Sequence, residues 1–218
     1  WQDQTGAPSD PQAGNIPGGK RDVLRSADFT GNQTQGFVPE SGSWRVANGR
    51  YEVSPLASSG TTDAVSLFNA DVVLPSYFEI AATINAVKPT AGFKANAYVL
   101  FDYVSPTDFK FAGINVSTNA FVMGHRTAAG WIVDAQSPLQ VKPDTYYQVL
   151  VAVNGTTVTV AVNNKNTFTY TFPARVIAGQ AYGLNKGMVG AGSDNARGRW
   201  DNFKVQVLPP QLTLDETE

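Results

Sequence analysis

The segment Asn96 to Trp131, "NAYVLFDYVSPTDFKFAGINVSTNAFVMGHRTAAGW", decides the fold class of this chain. It holds three apolar runs rich in Phe, Tyr and Val, separated by "SPTD" and "NVSTN". Short runs of β-branched and aromatic residues between turn-forming residues are typical of β-strands. The segment therefore predicts three adjoining strands, at Ala95–Val104, Phe109–Val116 and Ala120–Arg126.

The same pattern continues on both sides of this segment. In "SWRVANGRYEV", Asn48-Gly49 lies between two alternating runs, which predicts a tight hairpin pairing Trp44–Val46 with Arg50–Val53. The "NGT" at 154–156 predicts a second hairpin. Further strands are predicted at Ala64–Asn69, Tyr77–Ala86, Trp131–Ala135, Tyr146–Val153, Thr156–Asn163, Thr167–Phe172, Gly187–Ala191 and Arg199–Leu208. Roughly a dozen short strands without a helical pattern predict an all-β fold, namely a two-sheet antiparallel jelly-roll sandwich.

Composition excludes several classes of partner and site. A chain of 218 residues with 42% hydrophobic residues is long enough to bury one substantial core. The formal net charge of −2 and the absence of a basic stripe argue against nucleic acid as a partner. The lack of cysteine removes disulfides, thiolate nucleophiles and thiolate metal ligands. No window approaches the run of about 18 apolar residues that spans a bilayer, so we expect no membrane insertion.

The two ends of the chain differ in composition from its middle. Residues 1–20 are rich in Pro, Gly, Gln and Asp, which predicts a linker or a surface arm. Residues 21–208 are predicted to form the jelly-roll domain, and 209–218 to be a linker to a following domain. These ends indicate a monomeric module with flanking domains in the same polypeptide, although frayed termini of a free domain remain an alternative.

Catalytic motifs are scarce. His125 is the only histidine, and there is no G-x-S-x-G elbow to supply a nucleophile. Glycoside hydrolysis needs two carboxylates flanking the scissile bond. No predicted strand carries acidic residues at alternating positions, although carboxylates contributed by different strands remain an alternative. We therefore leave enzymatic activity uncertain and favour a non-catalytic role.

The segment Asn96 to Trp131 also carries side-chain types that bind sugars. Aromatic rings stack on the C–H faces of a sugar, while planar polar groups fix its hydroxyls. The candidate ligand-binding residues are Asp102, Tyr103, Asp108, Lys110, His125, Arg126 and Trp131. The competing interpretation is that the aromatic residues of this segment, above all its phenylalanines, belong to the core.

Strand alternation limits how these candidates can converge. It places Asp102 on the face of Tyr98 and Leu100, and Tyr103 on the opposite face. One groove can then hold both only if the strand bends, and the "SPTD" turn is the predicted bend because a proline interrupts the ladder.

Calcium is the metal that this composition allows, because it binds carboxylate and carbonyl oxygens. Asp28 in "SADFTGN", at the head of the first strand, and Asp201 in "RGRWDNFKV", entering the last, are the candidate ligands. First and last strands of a sandwich are often neighbours, so the two acids are predicted to share one ion. The alternative is that each only ends a strand or makes a turn hydrogen bond.

Three stretches together resemble a known family: "DFTGNQTQGFVPESGSWRVANGRYEV", the central "AYVLFDYVSPTDFKFAGI" with "GHRTAAGW", and "ARGRWDNFKV". They are similar to the concanavalin A-like, laminin-G-like jelly-roll modules of large bacterial extracellular proteins of the adhesin type. The resemblance covers about Arg21 to Leu208. It implies two antiparallel sheets, one of them concave, a structural calcium near the first and last strands, and a location outside the cell or on its surface.

The resemblance implies three functions in order of preference. The first is a calcium-stabilised, non-catalytic extracellular module that binds glycan or another extracellular ligand, or is adhesive. The second is a structural spacer or presentation domain of an adhesin. The third is an enzyme of the keto-glycoside hydrolase kind, although this chain lacks the acidic strand motif of the related laminarinases.

Overall fold

The computed structural model describes residues 16–55, 63–138 and 140–208. Within these ranges it contains seventeen β-strands and one short 3-10 helix, Thr30–Asn32. The strands are β1 (Asp22–Ala27), β2 (Phe37–Ser41), β3 (Ser43–Ala47), β4 (Arg50–Ser54), β5 (Asp63–Phe68), β6 (Tyr77–Ala86), β7 (Asn96–Ser105), β8 (Asp108–Asn115), β9 (Ala120–Thr127), β10 (Gly130–Pro138), β11 (Tyr146–Asn154), β12 (Thr157–Val162), β13 (Lys165–Thr171), β14 (Arg175–Ile177), β15 (Gln180–Tyr182), β16 (Met188–Asp194) and β17 (Gly198–Val207). The all-β prediction is confirmed. Within the described part of the chain, no helix is long and apolar enough to cross a membrane.

Two antiparallel sheets form the sandwich. Sheet A has the order β13-β12-β11-β6-β17-β4-β3, with β1 also pairing with β17. Sheet B has the order β10-β9-β8-β7-β16-β5-β2, and β14 and β15 form a separate hairpin. The segment Asn96 to Trp131 supplies β7, β8, β9 and the start of β10, which are consecutive neighbours in sheet B.

The two predicted hairpins are confirmed. Asn48 and Gly49 have φ values of 53° and 67°, which are the left-handed values that a two-residue hairpin turn requires. The second hairpin joins β11 to β12 with Asn154 opposite Thr157. β1, β2, β14 and β15 were not predicted, because these short strands lack a clear apolar alternation.

The main core lies between the inner faces of the two sheets. Val158, Val160 and Val162 all belong to it, as the alternation of "TTVTVAV" predicts. Trp200 is fully buried there, and its indole N–H donates to the Tyr98 carbonyl of the opposite sheet over 3.0 Å. This bond links the two sheets and satisfies the indole N–H, which would cost stability if it were buried without an acceptor.

A second apolar cluster lies on the other, outer face of sheet B. Its buried members are Val65, Leu67, Tyr98, Leu100, Tyr103, Phe109, Phe111, Ala120 and Val122, with Trp131 packed against them. An antiparallel sheet usually turns polar side chains outward from such a sandwich. The outer face of sheet B, called the trough below, instead carries this buried apolar cluster.

Candidate functional site

The seven predicted ligand-binding residues do not meet in one patch. Tyr103, Arg126 and Trp131 lie in the trough. Asp102, Asp108 and Lys110 form ion pairs with one another or with Arg175. His125 bonds to Asp134, with 2.6 Å between His125 Nδ1 and Asp134 Oδ2.

Trp131 lies across the aromatic side chains of the trough. Its ring centroid is 5.3 Å from that of Tyr98, 5.1 Å from that of Phe109 and 4.9 Å from that of Phe111. Its indole N–H donates to Asp63 Oδ1 over 2.8 Å. Tyr103 in turn stacks on Phe109, with centroids 5.5 Å apart. The rings of Tyr98, Tyr103, Phe109 and Phe111 are buried by this packing, while Trp131 stays partly exposed.

The Asp63 contacts show that sheet B curls toward the trough. Arg126 Nε, on β9, donates to Asp63 Oδ2 over 2.9 Å, although three strands separate β9 from β5 in the sheet. Neighbouring strands lie about 4.8 Å apart, so a direct contact across four such spacings requires strong curvature. The trough is therefore concave, and the side chains on it are drawn together until they fill it.

Glycines on the trough allow this curvature. A Cβ at Gly124 would lie 1.9 Å from the Ile132 carbonyl oxygen on β10, which no real side chain tolerates. Glycine within a strand often marks such a close backbone approach. Three other trough positions, Gly113, Gly190 and Gly192, would likewise place a Cβ within 3 Å of a neighbouring strand.

The second group of predicted residues is an ion cluster built around the buried carboxylate of Asp102. Asp102 is fully buried, and its Oδ2 accepts from Lys110 Nζ and Arg175 Nη2, each over 2.9 Å. Arg175 also pairs with Asp108 through Nη1 and, over 3.0 Å, through Nη2. The Arg175 hydrogen bond is the main reason that the pKa of Asp108 lies below its usual value. Asp102 Oδ2 and both oxygens of Asp108 are thus paired with cations within the fold, while the buried Asp102 Oδ1 has no hydrogen-bond partner among the described residues.

A β-bulge at Asp102 overturns the predicted alternation. The register of β7 against β8 shifts between Phe101 and Ser105, and Asp102 has a φ of 48°. As a result Tyr103, rather than Asp102, lies on the face of Tyr98 and Leu100. The predicted bend at "SPTD" is wrong in position, because that stretch forms the turn between β7 and β8 while the bulge precedes it.

Gly187 explains why the bulge can pack tightly. A Cβ there would lie 2.3 Å from the Asp102 carbonyl carbon and 2.4 Å from the Tyr103 nitrogen. Only glycine lets the chain before β16 approach the bulge this closely. The bulge at Asp102 thus depends on a glycine 85 positions further along the chain.

The predicted calcium ligands lie near the pairing of the first and last strands. That pairing is confirmed, because β1 and β17 are antiparallel neighbours with Ala27 opposite Phe203. Asp28 follows β1 instead of heading it, and Asp201 lies inside β17 instead of at its entry. Calcium binds carboxylates, but the carboxylates of Asp28 and Asp201 already accept hydrogen bonds from neighbouring groups.

Asp28 Oδ1 accepts from the Thr30 N–H over 3.1 Å, the Thr30 hydroxyl over 2.9 Å and Gln35 Nε2 over 2.9 Å. The Gln35 bond, followed by those from Thr30, lowers the pKa of Asp28. Asp201 Oδ1 accepts from the Asn202 N–H over 2.7 Å. Among the residues with described coordinates, no three His, Cys, Asp or Glu side chains are grouped to hold a metal. Calcium stays a prediction.

The outer face of sheet A carries a groove that sequence reasoning missed. Its volume is about 560 Å³, within the usual range of ligand sites. Ala81, Leu150 and Ala161 stand opposite one another on β6, β11 and β12 and contribute to its lining. The polar side chains that line it are Thr83, Gln148, Asn164, Asn202, Lys204 and Gln206. Small residues in a strand were the available signal, because they leave space between the polar side chains beside them.

A buried carboxylate organises one end of the groove. Glu79 accepts from Gln206 Nε2 over 2.6 Å, from the Tyr77 hydroxyl over 2.6 Å and from Arg21 Nη2 over 2.8 Å. Burial alone would raise the pKa of Glu79, but these hydrogen bonds outweigh it and lower that pKa. Arg21 also donates to the carbonyls of Pro17 and Gly19, which holds Ile16 beside the groove.

Comparisons with known proteins give the fold and no family. No family model matches the sequence, and no curated protein matches it. Among solved structures, the carbohydrate-binding module CBM66 from Bacillus subtilis matches with a TM-score of 0.64 at 11% identity, over 78% of this chain and 95% of that one. A Bacillus subtilis protein with a galectin-like fold matches with a TM-score of 0.57 at 9% identity, over 87% of this chain and 100% of that one.

Domain 4 of AbnA, an extracellular arabinanase from Geobacillus stearothermophilus, also matches. It was solved in complex with arabinotriose, and its TM-score is 0.55 at 10% identity, over 87% of this chain and 94% of that one. Identities this low establish the fold alone. They confirm the jelly-roll sandwich of the concanavalin and galectin type.

Proposed function

We propose that this protein is a non-catalytic glycan-binding module and that the groove on sheet A holds the saccharide. The groove carries the proposal, because it combines an open volume of about 560 Å³ with amide, hydroxyl and ammonium side chains at its border. Such groups bond sugar hydroxyls, whereas in the described part of the trough Tyr98, Phe109 and Phe111 pack directly against Trp131. The fold likeness to CBM66 and to the arabinanase domain supports the same conclusion.

Binding is favoured over hydrolysis by the chemistry of the groove. Its described lining contains no Asp or Glu, while glycoside hydrolysis uses a pair of carboxylates. The keto-glycoside hydrolase alternative would need a different surface. We further propose that the module acts outside the cell or at its surface, where an adhesive or glycan-binding module meets its ligands. We also propose that it does so as part of a larger protein.

We expect Ala81→Trp to abolish binding by filling the groove. A loss of at least about 1.4 kcal/mol, or tenfold in affinity, should follow when the bulky ring occupies the place of the saccharide. Affinity-gel retardation and calorimetry with a panel of neutral and acidic polysaccharides measure this. Thr171→Trp is the matched control, because Thr171 lies on β13 of the same sheet and does not line the groove.

Two outcomes would contradict the proposed function. If no polysaccharide of the panel is retained by the unaltered protein, glycan binding itself fails. If a polysaccharide is retained equally by the Ala81→Trp and Thr171→Trp variants, the saccharide lies elsewhere and the groove is not the site.

A structural spacer is the second candidate function, favoured by the filled trough. The concave face is the surface on which a jelly-roll module of the resembled family would be expected to bind, and here Trp131, Tyr98 and Phe111 pack across it. A spacer needs a rigid body without a ligand of its own. Absence of retention in the experiment above would leave this candidate standing.

Calcium stabilisation is proposed as a property of the same module and has a test of its own. An ion that binds only the folded state raises the melting temperature. At a free calcium concentration of 100 times the Kd, it raises the free energy of unfolding by about 2.7 kcal/mol. We expect a higher melting temperature in calcium than in chelator, and we expect Asp28→Asn to remove the difference. Asp22→Asn, which changes an exposed acid of β1, should retain it. Equal melting temperatures with and without chelator would disprove the site.

A further inference from the structure

An arginine and a tyrosine form an arch over the outer face of sheet A, one row beyond the groove. The Arg50 guanidinium carbon lies 4.6 Å from the ring centroid of Tyr146, although β17 and β6 separate their strands. Asn85 stands directly opposite Tyr146 on the neighbouring strand and is fully buried. A guanidinium stacked on a ring is held in place while its N–H groups stay available at the edge.

Two donors at the arch lack an acceptor. Arg50 Nε and Asn85 Nδ2 are both buried, and neither has a hydrogen-bond partner among the residues that the structure describes. The other end of the Asn85 amide is fixed, because Oδ1 accepts from Arg199 Nη1 over 3.2 Å. A buried unpaired donor costs about 1 to 3 kcal/mol, so an oxygen acceptor that reached both would recover that cost.

The outer face of sheet A carries charges of both signs, and two of its cations have no ion-pair partner among the described residues. Arg45 and Arg199 share Glu52, and Arg21 pairs with Glu79. Arg199 Nη1 also lies 3.6 Å from Asp144 Oδ1, and Asp201 stands directly opposite the groove residue Thr83. In contrast, neither Arg50 nor Lys204 has an ion-pair partner in the described part of the chain. No carboxylate belongs to the described lining of the groove, so Arg50 and Lys204 are the cations of this face that remain available to an anionic ligand.

The arch lies within reach of a ligand in the groove. Asn85 follows the groove residue Thr83 by two positions on β6, and Tyr146 precedes the groove residue Gln148 by two on β11. Two residues of a strand span about 6.8 Å. A saccharide that extends from Ala81 and Leu150 along the strands past Thr83 and Gln148, about 13.6 Å in all, would therefore reach the arch.

We propose that the arch is an anion-binding subsite and that the saccharide of this module is acidic, carrying a carboxylate or a sulfate. This inference rests on the proposed function and adds the ligand class. The anion accepts from the Arg50 guanidinium and from Asn85 Nδ2, while Lys204 contributes at long range. Charge-assisted bonds of this kind are roughly twice as strong as neutral ones.

The test compares acidic saccharides with their neutral counterparts. Oligomers of galacturonate, mannuronate and hyaluronan are each paired with their carboxyl-reduced forms, and chondroitin sulfate is paired with desulfated chondroitin. Kd values are measured by calorimetry for the unaltered protein, for Arg50→Gln and for Arg45→Gln. Arg45 is the control, because it lies on the same face, is largely exposed and pairs with Glu52.

The unaltered protein should bind at least one acidic member at least tenfold more tightly than its neutral counterpart. Arg50→Gln should remove that preference and leave the affinity for the neutral form within about twofold, while Arg45→Gln should keep the preference. The carboxyl-reduced and desulfated pairs tell which anion is recognised.

Three results would separate the inference from the function beneath it. Binding without preference for acidic members, or a preference that survives Arg50→Gln, overturns the subsite and leaves glycan binding intact. Failure of every acidic and neutral member to bind overturns the proposed function as well.

Discussion

Replacing Asp102 by Ala is expected to lower the free energy of unfolding by about 3 kcal/mol. The change leaves Lys110 and Arg175, whose side chains are only 13% and 16% exposed, without their buried counter-ion. Removing one partner of a buried ion pair typically costs 3 to 5 kcal/mol. We expect the lower end of that range, because Arg175 keeps its bonds to Asp108. Urea denaturation followed by fluorescence measures the loss.

Asp108→Ala is the matched control for Asp102. The Asp108 side chain is 42% exposed, so water replaces much of what it loses, and we expect a cost of about 1 kcal/mol or less. Equal losses in the two variants would mean that the Asp102 carboxylate is no more important to stability than an exposed one. The buried cluster would then not be the structural element described above.

Replacing Gly124 by Ala is expected to cost more than about 3 kcal/mol or to prevent folding. The new Cβ would lie 1.9 Å from the Ile132 carbonyl oxygen and 2.8 Å from the edge of the Phe111 ring. To relieve the overlap, β9 and β10 must separate, which withdraws Trp131 from the trough. Thermal unfolding gives the stability, and near-ultraviolet circular dichroism reports the packing of the aromatic rings.

The control for this substitution is Gly18→Ala. A Cβ at Gly18 meets nothing within 4 Å, so its melting temperature should stay within about 1 °C of the unaltered protein. If Gly124→Ala retains the melting temperature and the aromatic circular dichroism signal, then the trough does not need the close approach of β9 and β10.

Much of the fold could be predicted because its signals are local. Asn48-Gly49 sets a hairpin through backbone preferences of two residues, and Val158, Val160 and Val162 reveal a buried face by their period. β1 and β2 escaped prediction because they carry only a few apolar residues each. That the first and last strands are neighbours could still be predicted, since it follows from how sandwiches close.

The candidate site was much less predictable. The aromatic residues of β7 and β8 were assigned to a core or to a ligand platform, but the sequence gives no sign that they form a second core in the trough. Arg175, which binds both Asp102 and Asp108, lies 73 residues after the first of them and in a different hairpin. The groove was missed because alanines in a strand carry no chemistry of their own.

The sequence alone determined that this chain is an all-β sandwich, because strand periodicity and turn chemistry act between near neighbours. It also determined which side chains were available to bind a sugar. Tertiary structure decided which of them meet. A single bulge at Asp102 exchanges the faces of the strand, and the curl of sheet B fills the concave surface with its own aromatic rings. Both effects depend on contacts between strands far apart in the chain, so only the folded structure moves the proposed binding site to sheet A.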